Sequence, residues 1–151
     1  MRLVIQRVRR ARVTVEGRET GAIGRGLAIL CGVARGDTVH DATWLARKTI
    51  SLRVFDDADG KLNLALDAVA GALLVVSQFT LYGDAVKGNR PRYIEAAPPE
   101  EGERLYSEFV TQLRALGPRV ETGVFRTQML VEIENDGPVT LILESRGRTS
   151  P

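Results

Sequence analysis

A single cysteine and a single histidine stand among 151 residues. Cys31 alone excludes an internal disulfide and any site built from several thiolates. It fits a reducing cytosol. His40 leaves a Ser-His-Asp triad one choice of base, and nothing near it in sequence supports that role. It reads as a surface residue of a first helix. Long apolar runs are absent too. Leu3-Val4-Ile5 is cut by Gln6 and Arg7, too early for a signal peptide, and no stretch is long enough to span a bilayer. Neither charge dominates: 21 Lys+Arg against 19 Asp+Glu leave +2. That balance admits a local contact with nucleic acid but does not suit a protein that coats long stretches of phosphate. Asp56-Asp57-Ala58-Asp59-Gly60 has the composition of a calcium loop without its spacing. Aligning Gly60 with the loop's obligatory glycine puts Phe55 and Leu66 where ligands belong. Gly21, Gly24 and Gly26 precede a strand rather than open a helix, so they read as turn glycines, not a phosphate cradle. No metal site and no cofactor are expected.

What is present reads as one α+β domain: a strongly curved, mostly antiparallel, barrel-like sheet with two main helices. The chain is long enough to bury about two thirds of its unfolded surface. Residues 2–15 alternate as a long first strand, with Arg7 interrupting an otherwise mostly apolar face unless a bulge resets the register. Turns are expected at Glu16–Arg18 and Gly21–Gly26, then a buried strand over 27–33, where Cys31 is a core thiol. Asp37 or Thr38 caps a helix in which Ala42, Leu45, Ala46, Thr49 and Ile50 share a face and Trp44 packs. A short strand near Leu52–Phe55 and a turn at 56–61 follow. The apolar run 72–76 opens a strand ending in Ser77–Tyr82. A second helix starts at Pro98 or Pro99, carries Leu105, Phe109, Leu113 and Leu116 on one face, and stops at Gly117-Pro118. Strands over 120–125, 129–134 and 139–144 complete a domain over 1–145. A polar tail over 146–151 is expected to be disordered.

Two segments stand out. Ser77-Gln78-Phe79-Thr80 ends a buried strand with hydroxyl, amide, aromatic and hydroxyl groups, which delivers polar chemistry to the edge of a core. Asn135-Asp136-Gly137-Pro138 joins two strand-like runs and puts Pro where backbone pairing would resume. Between them, 83–99 is a long stretch without a period, and such loops are often functional. It carries Lys87, Arg90 and Arg92 beside Tyr93. Taken singly, each feature has a structural explanation: a strand end, an ordinary turn, a solvated loop.

In combination, the chain resembles the D-aminoacyl-tRNA deacylases from end to end, apart from its tail. Ile5-Gln6-Arg7-Val8 and Val13-Thr14-Val15 look like the family's first strand. Ser77-Gln78-Phe79-Thr80-Leu81 matches its SQFTL signature, and Asn135-Asp136-Gly137-Pro138-Val139-Thr140 its NxGPxT signature. Lys87-Gly88-Asn89-Arg90-Pro91 and Met129 fall where the family has similar residues. Related animal deacylases acting on mischarged alanine differ at both motifs, so the sequence looks like the D-specific branch.

The resemblance implies hydrolysis of the ester between a D-amino acid and the terminal adenosine of tRNA, with glycine on tRNA(Ala) as a further substrate. It implies a cytoplasmic homodimer with each active site at the subunit interface. Ser77, Gln78, Phe79 and Thr80 would be the catalytic segment. Gly137 and Pro138, joined by a cis bond, would filter chirality in the partner's site, supported by Arg7 and Asn135. Lys87, Arg90 and Met129 would meet substrate or tRNA. An aminoacyl ester is already activated, so a positioned water and backbone N–H donors at Phe79 and Thr80 suffice. Thr80 has no evident base to activate it, which favours the substrate's own 2′-OH for proton handling. Two other readings stand beside this one: a non-catalytic RNA-end binding module, and a general Ser/Thr esterase.

Overall fold

The structure is a computed structural model and describes residues 1–146. Its backbone is one long strand, β1 (Arg2–Val15), flanked on both sides. A hairpin at Glu16-Gly17, both at positive φ (49° and 77°), turns the chain back, as a two-residue hairpin loop requires. β2 (Arg18–Ile23) then pairs with the second half of β1, and β3 (Gly26–Gly32) with the first half, both antiparallel. β2 was not expected. Its first three residues are exposed and Gly21 reads as a turn former, but pairing, not sequence pattern, holds it in the sheet. Gly21 is therefore a strand residue.

Helix α1 (Val39–Ile50) follows, buried through Ala42, Leu45, Ala46 and Thr49 as its spacing predicts. The backbone N–H and the hydroxyl of Thr38 both donate to the Asp41 carboxylate, at 2.8 and 2.7 Å. A small hairpin of β4 (Phe55–Asp56) and β5 (Leu62–Leu64) leads to β6 (Ala72–Ser77). β6 pairs parallel to β3, so Ser77 lies beside Cys31. The two backbones come close at the start of these strands. A Cβ on Gly26 would lie 1.8 Å from the Ala72 carbonyl oxygen, so only glycine fits.

Helix α2 (Pro99–Ala115) buries Leu105, Tyr106, Phe109 and Leu113. Leu116, expected on that face, falls at the cap and is largely exposed. β7 (Val120–Thr122) pairs parallel to β6 and stops well short of Phe125. β8 (Leu130–Glu144) pairs antiparallel to β1 on its other side. The two final strands expected from sequence are thus one strand, interrupted only by a bulge. The path across the sheet is β2-β1-β3-β6-β7, with β8 on the far flank of β1. Arg119, just before β7, donates to the Ala22 carbonyl of β2 at 3.2 Å, so the sheet curls nearly into a barrel.

Two apolar clusters result. The larger lies between the sheet and both helices and includes Leu3, Ile5, Ile29, Leu45, Val75 and Phe109. The smaller, on the other face, gathers Val8, Ala11, Val13, Leu74 and Val76. Each fully buried Val, Leu, Ile or Phe among them stabilises the fold by about 1.5–3 kcal/mol. Ser145, the last residue of the expected domain, is buried. Its hydroxyl accepts from the Met1 ammonium at 2.6 Å, and that ammonium pairs with Asp37 at 2.7 Å. Arg146 reaches Asp37 and Glu95. The expectation for residues 147–151 lies outside the described residues.

Candidate active site

Ser77 is the last residue of β6. The strand does not run on to Tyr82 as its β-prone residues suggested. The Gln78 amide donates to the Cys31 carbonyl at 2.8 Å, completing the ladder, and the chain then folds into a 3-10 turn, Phe79–Tyr82. Within that turn Leu81 N–H reaches Gln78 O at 3.2 Å, and Gly83 N–H reaches Thr80 O at 2.9 Å. The Phe79 and Thr80 amides precede the first internal donor, the position at which a helical turn leaves N–H groups for an outside acceptor. Both residues are exposed, Phe79 by 58%. The turn sits on Gly32. A Cβ there would lie 3.1 Å from Gln78 O and from Leu81 Cβ, and 3.2 Å from the Tyr82 ring.

Gln78 donates its side-chain amide to the Thr80 hydroxyl oxygen. An amide is not a base, so Thr80 has no group here to take its proton. His40 is exposed on α1. Cys31, the neighbour of Ser77 in the ladder, is buried, and burial pushes its thiol up to about 12. It stays protonated and inert. Among the described residues no group of three or more His, Cys, Asp or Glu could hold a metal ion.

The 83–98 loop leaves this turn. The Phe79 and Tyr93 rings meet edge-on with centroids 5.1 Å apart. Asp84 and Arg92 pair through their backbones and through an ion pair at 3.2 Å. Arg92 is therefore held, whereas Lys87 and Arg90 stand exposed at the tip. The Val86 N–H, and then Arg92, hold the Asp84 carboxyl below its usual range. Met129 packs against the smaller apolar cluster and Gly123.

The second motif is a bulge in β8. From Gln6 to Arg10 is four residues on β1, and from their partners Thr140 to Glu134 is six on β8, so two extra residues are pushed out. The Gly137-Pro138 bond in it is cis, and both residues are exposed. Opposite sits Arg7, only 4% exposed. Its guanidinium donates to Asp136 O at 3.1 Å, Gly137 O at 3.3 Å and Val54 O at 2.9 Å, and pairs with the Asp136 and Asp56 carboxylates. Asn135 donates across the neck of the bulge, to Arg7 O at 3.0 Å and Val139 O at 3.2 Å. The Val54 and Asp56 anchors escaped sequence reasoning. A backbone carbonyl carries no sequence signal, and Asp56 looked like a turn residue.

The chain does not bring its two motifs together. Ser77 lies in register with Cys31, Leu3 and Leu143, whereas the bulge faces Arg7, in register with Leu27 and Leu73. They are offset by four residues along β6 and three strand spacings across the sheet. That is about 13 Å one way and about 14 Å the other.

A family model described as D-Tyr-tRNA(Tyr) deacylase matches residues 4–144. The chain belongs to that family. A protein of Anaeromyxobacter dehalogenans named D-aminoacyl-tRNA deacylase is 60% identical over 97% of this chain and 98% of its own length. One of the same name from Geobacter sulfurreducens is 53% identical over 99% of each. A solved structure described as c-Myc DNA Unwinding Element Binding Protein superposes with a TM-score of 0.90 at 43% identity, covering 95% of this chain and 98% of that one. A probable eukaryotic D-amino acid tRNA deacylase shares the fold, with a TM-score of 0.79 at 18% identity over 94% and 97% of the two chains. Membership in the family covers both motifs and the curled sheet that carries them.

Proposed function

We propose that the protein hydrolyses the ester joining a D-amino acid to the terminal adenosine of tRNA, acting where charged tRNA is found, in the cytoplasm. The observation that carries this is the exposed turn at the end of buried β6, in a chain of this family. There the Phe79 and Thr80 amides head the turn beside Ser77 and Gln78. Preorganised backbone donors suit the oxyanion that forms when water attacks an activated ester. Thr80 hydrogen-bonds to an amide rather than a base, which supports proton handling by the substrate's 2′-OH over a covalent Thr80 intermediate.

In this reading the enzyme is a homodimer and the bulge of one subunit enters the site of the other. Two features support it. The bulge and the turn are well separated within one chain. The outer edge of β8 pairs with no strand among the described residues, and Leu130 and Ile142 stand exposed along it. The bulge's carbonyl groups, held by Arg7, would crowd one side of the substrate α-carbon, where hydrogen fits and an L side chain does not. Discrimination would then exclude L rather than recognise a D side chain, so glycine would enter as well. Lys87 and Arg90 would meet the acceptor end.

The test is deacylation of matched D- and L-aminoacyl-tRNA. D-ester should be cleaved and L-ester spared. Thr80→Ala should keep substantial activity, and a 2′-deoxy terminal adenosine should lose most of it. Loss of all activity in Thr80→Ala together with a trappable acyl adduct would establish a side-chain nucleophile instead.

A further inference from the structure

We infer that Arg2 is a positioning residue that clamps the catalytic turn to the end of β8. The inference rests on reading the Ser77–Thr80 turn as the reacting site. Arg2 opens β1, directly between Gly32 of β3 and Glu144 of β8. Its guanidinium does three things at once. Nη1 donates to the Leu81 carbonyl at 2.7 Å. Nε donates to the Glu144 carboxylate. The group's central carbon lies 5.0 Å from the centroid of the Tyr82 ring, over its face. Only a planar fork with separate donors can hold two oxygens in different directions while stacking on a ring.

These contacts fall on the second half of the turn whose first half presents the Phe79 and Thr80 amides. The turn is four residues long, so a shift at Leu81 moves both amides. Below, Gly32 offers the turn a bare backbone and no side chain to grip it. The Gln78–Cys31 bond and the Phe79–Tyr93 contact hold the first half of the turn, and Arg2 holds the second half, with Glu144 fixing the guanidinium from the other side. Donor placement matters steeply in such a site, where a misplacement of about 1 Å can cost about 100-fold in rate. Arg2 holds the turn that presents the donor amides and not the carbonyls that would exclude an L side chain, so the clamp governs rate and not stereoselectivity.

The test compares wild type, Arg2→Ala, Arg2→Lys and Glu144→Gln on D- and L-aminoacyl-tRNA. Thermal unfolding and amide hydrogen exchange of residues 79–83 are measured alongside. Arg2→Ala should lower kcat by about tenfold or more with little change in KM, the pattern of an interaction that matters in the transition state. Exchange at the turn should quicken, and rejection of L-ester should persist. Lysine keeps the charge but offers one point of contact, so Arg2→Lys should fall between wild type and Arg2→Ala in kcat at near-native Tm. It serves in place of Arg2→Ala should that variant not fold. Glu144→Gln, which keeps an acceptor for Nε, should stay closest to wild type. Wild-type kcat and wild-type exchange in Arg2→Ala, or in Arg2→Lys, would overturn the clamp. A rate loss that merely follows the fall in Tm, with no faster exchange at the turn, would also overturn it. A wild-type protein that leaves D-aminoacyl-tRNA intact would sink the reading of the site itself, a different failure from an active enzyme indifferent to Arg2.

Discussion

Arg7 shows how one residue can connect segments far apart in sequence. A buried guanidinium is tolerated only when its donors are satisfied. Here they are divided between the bulge (Asp136 and Gly137) and the segment around β4 (Val54 and Asp56). Replacing Arg7 by Ala leaves the buried Val54 carbonyl, two part-buried carbonyls and two carboxylates without their donor. Both carboxylates retain access to solvent, so the cost should be nearer to about 1–3 kcal/mol than to the full penalty of a buried pair. Thermal unfolding reads that cost. The informative measurement is hydrolysis of L-aminoacyl-tRNA. A bulge freed from Arg7 should admit L-ester at least about tenfold faster relative to D-ester. An Arg7→Ala protein that is destabilised yet as selective as wild type would confine Arg7 to holding the fold.

Among the elements, α1 shows a cap worth testing by pH. The Asp41 carboxyl is held down to about 2. Partial burial alone would raise it, but hydrogen bonds from the Thr38 hydroxyl and backbone and from Ser145, with the Met1 ammonium, outweigh that effect. A carboxyl depressed in the folded state stabilises the fold above its unfolded pKa, about 3.9, and that contribution is lost as pH falls through the folded value. Wild-type Tm should therefore drop between about pH 4 and pH 2 by more than that of Asp41→Asn. At pH 7, Thr38→Ala should cost about 1 kcal/mol. Equal acid slopes in wild type and Asp41→Asn would mean that the cap carries no proton linkage. The helices were legible because an apolar period of 3.6 residues has few competing explanations. Three strand features were not, each for its own reason. β2 begins with exposed residues and depends on β1 for its pairing. β8 looked like two strands because Pro138 cannot donate to a ladder, yet a bulge carries the strand past it. Phe79–Tyr82 is β-prone throughout, and only the backbone shows that it turns. Both motifs of the candidate site could be read from the sequence, but Arg2, Gly32, Val54 and Asp56, which hold them, could not. Their contribution is made by backbone proximity and by partners distant in the chain.

For the molecule as a whole, the proposed dimer poses the question of which subunit supplies which half of the site. Two variants separate the halves. Phe79→Pro removes one amide donor while keeping a residue suited to the first position of a helical turn. Deleting Gly137 and Pro138 removes the two extra residues of the bulge and leaves an even ladder. The first variant should be inactive, and the second should cleave D- and L-ester alike. If the bulge acts across the interface, mixed dimers pair an intact turn with an intact bulge, and selectivity for D-ester returns as the variants are mixed. If the bulge acts within its own chain, mixing restores nothing. Charge sets the reach of the substrate contact. The net charge is +2, and Arg92 is spent on Asp84. Lys87 and Arg90 remain free at the loop tip, enough for about two phosphates of a single-stranded end. The slope of log affinity against log salt should then be shallow, about −1.4 at about −0.7 per phosphate. A short aminoacylated mimic of the acceptor end should be cleaved at nearly the rate of whole tRNA. Lys87→Ala with Arg90→Ala should flatten the slope to near zero and raise KM while leaving kcat in place. A steep slope that survives the double substitution, with no turnover of the mimic, would place the grip on the tRNA body and away from this loop.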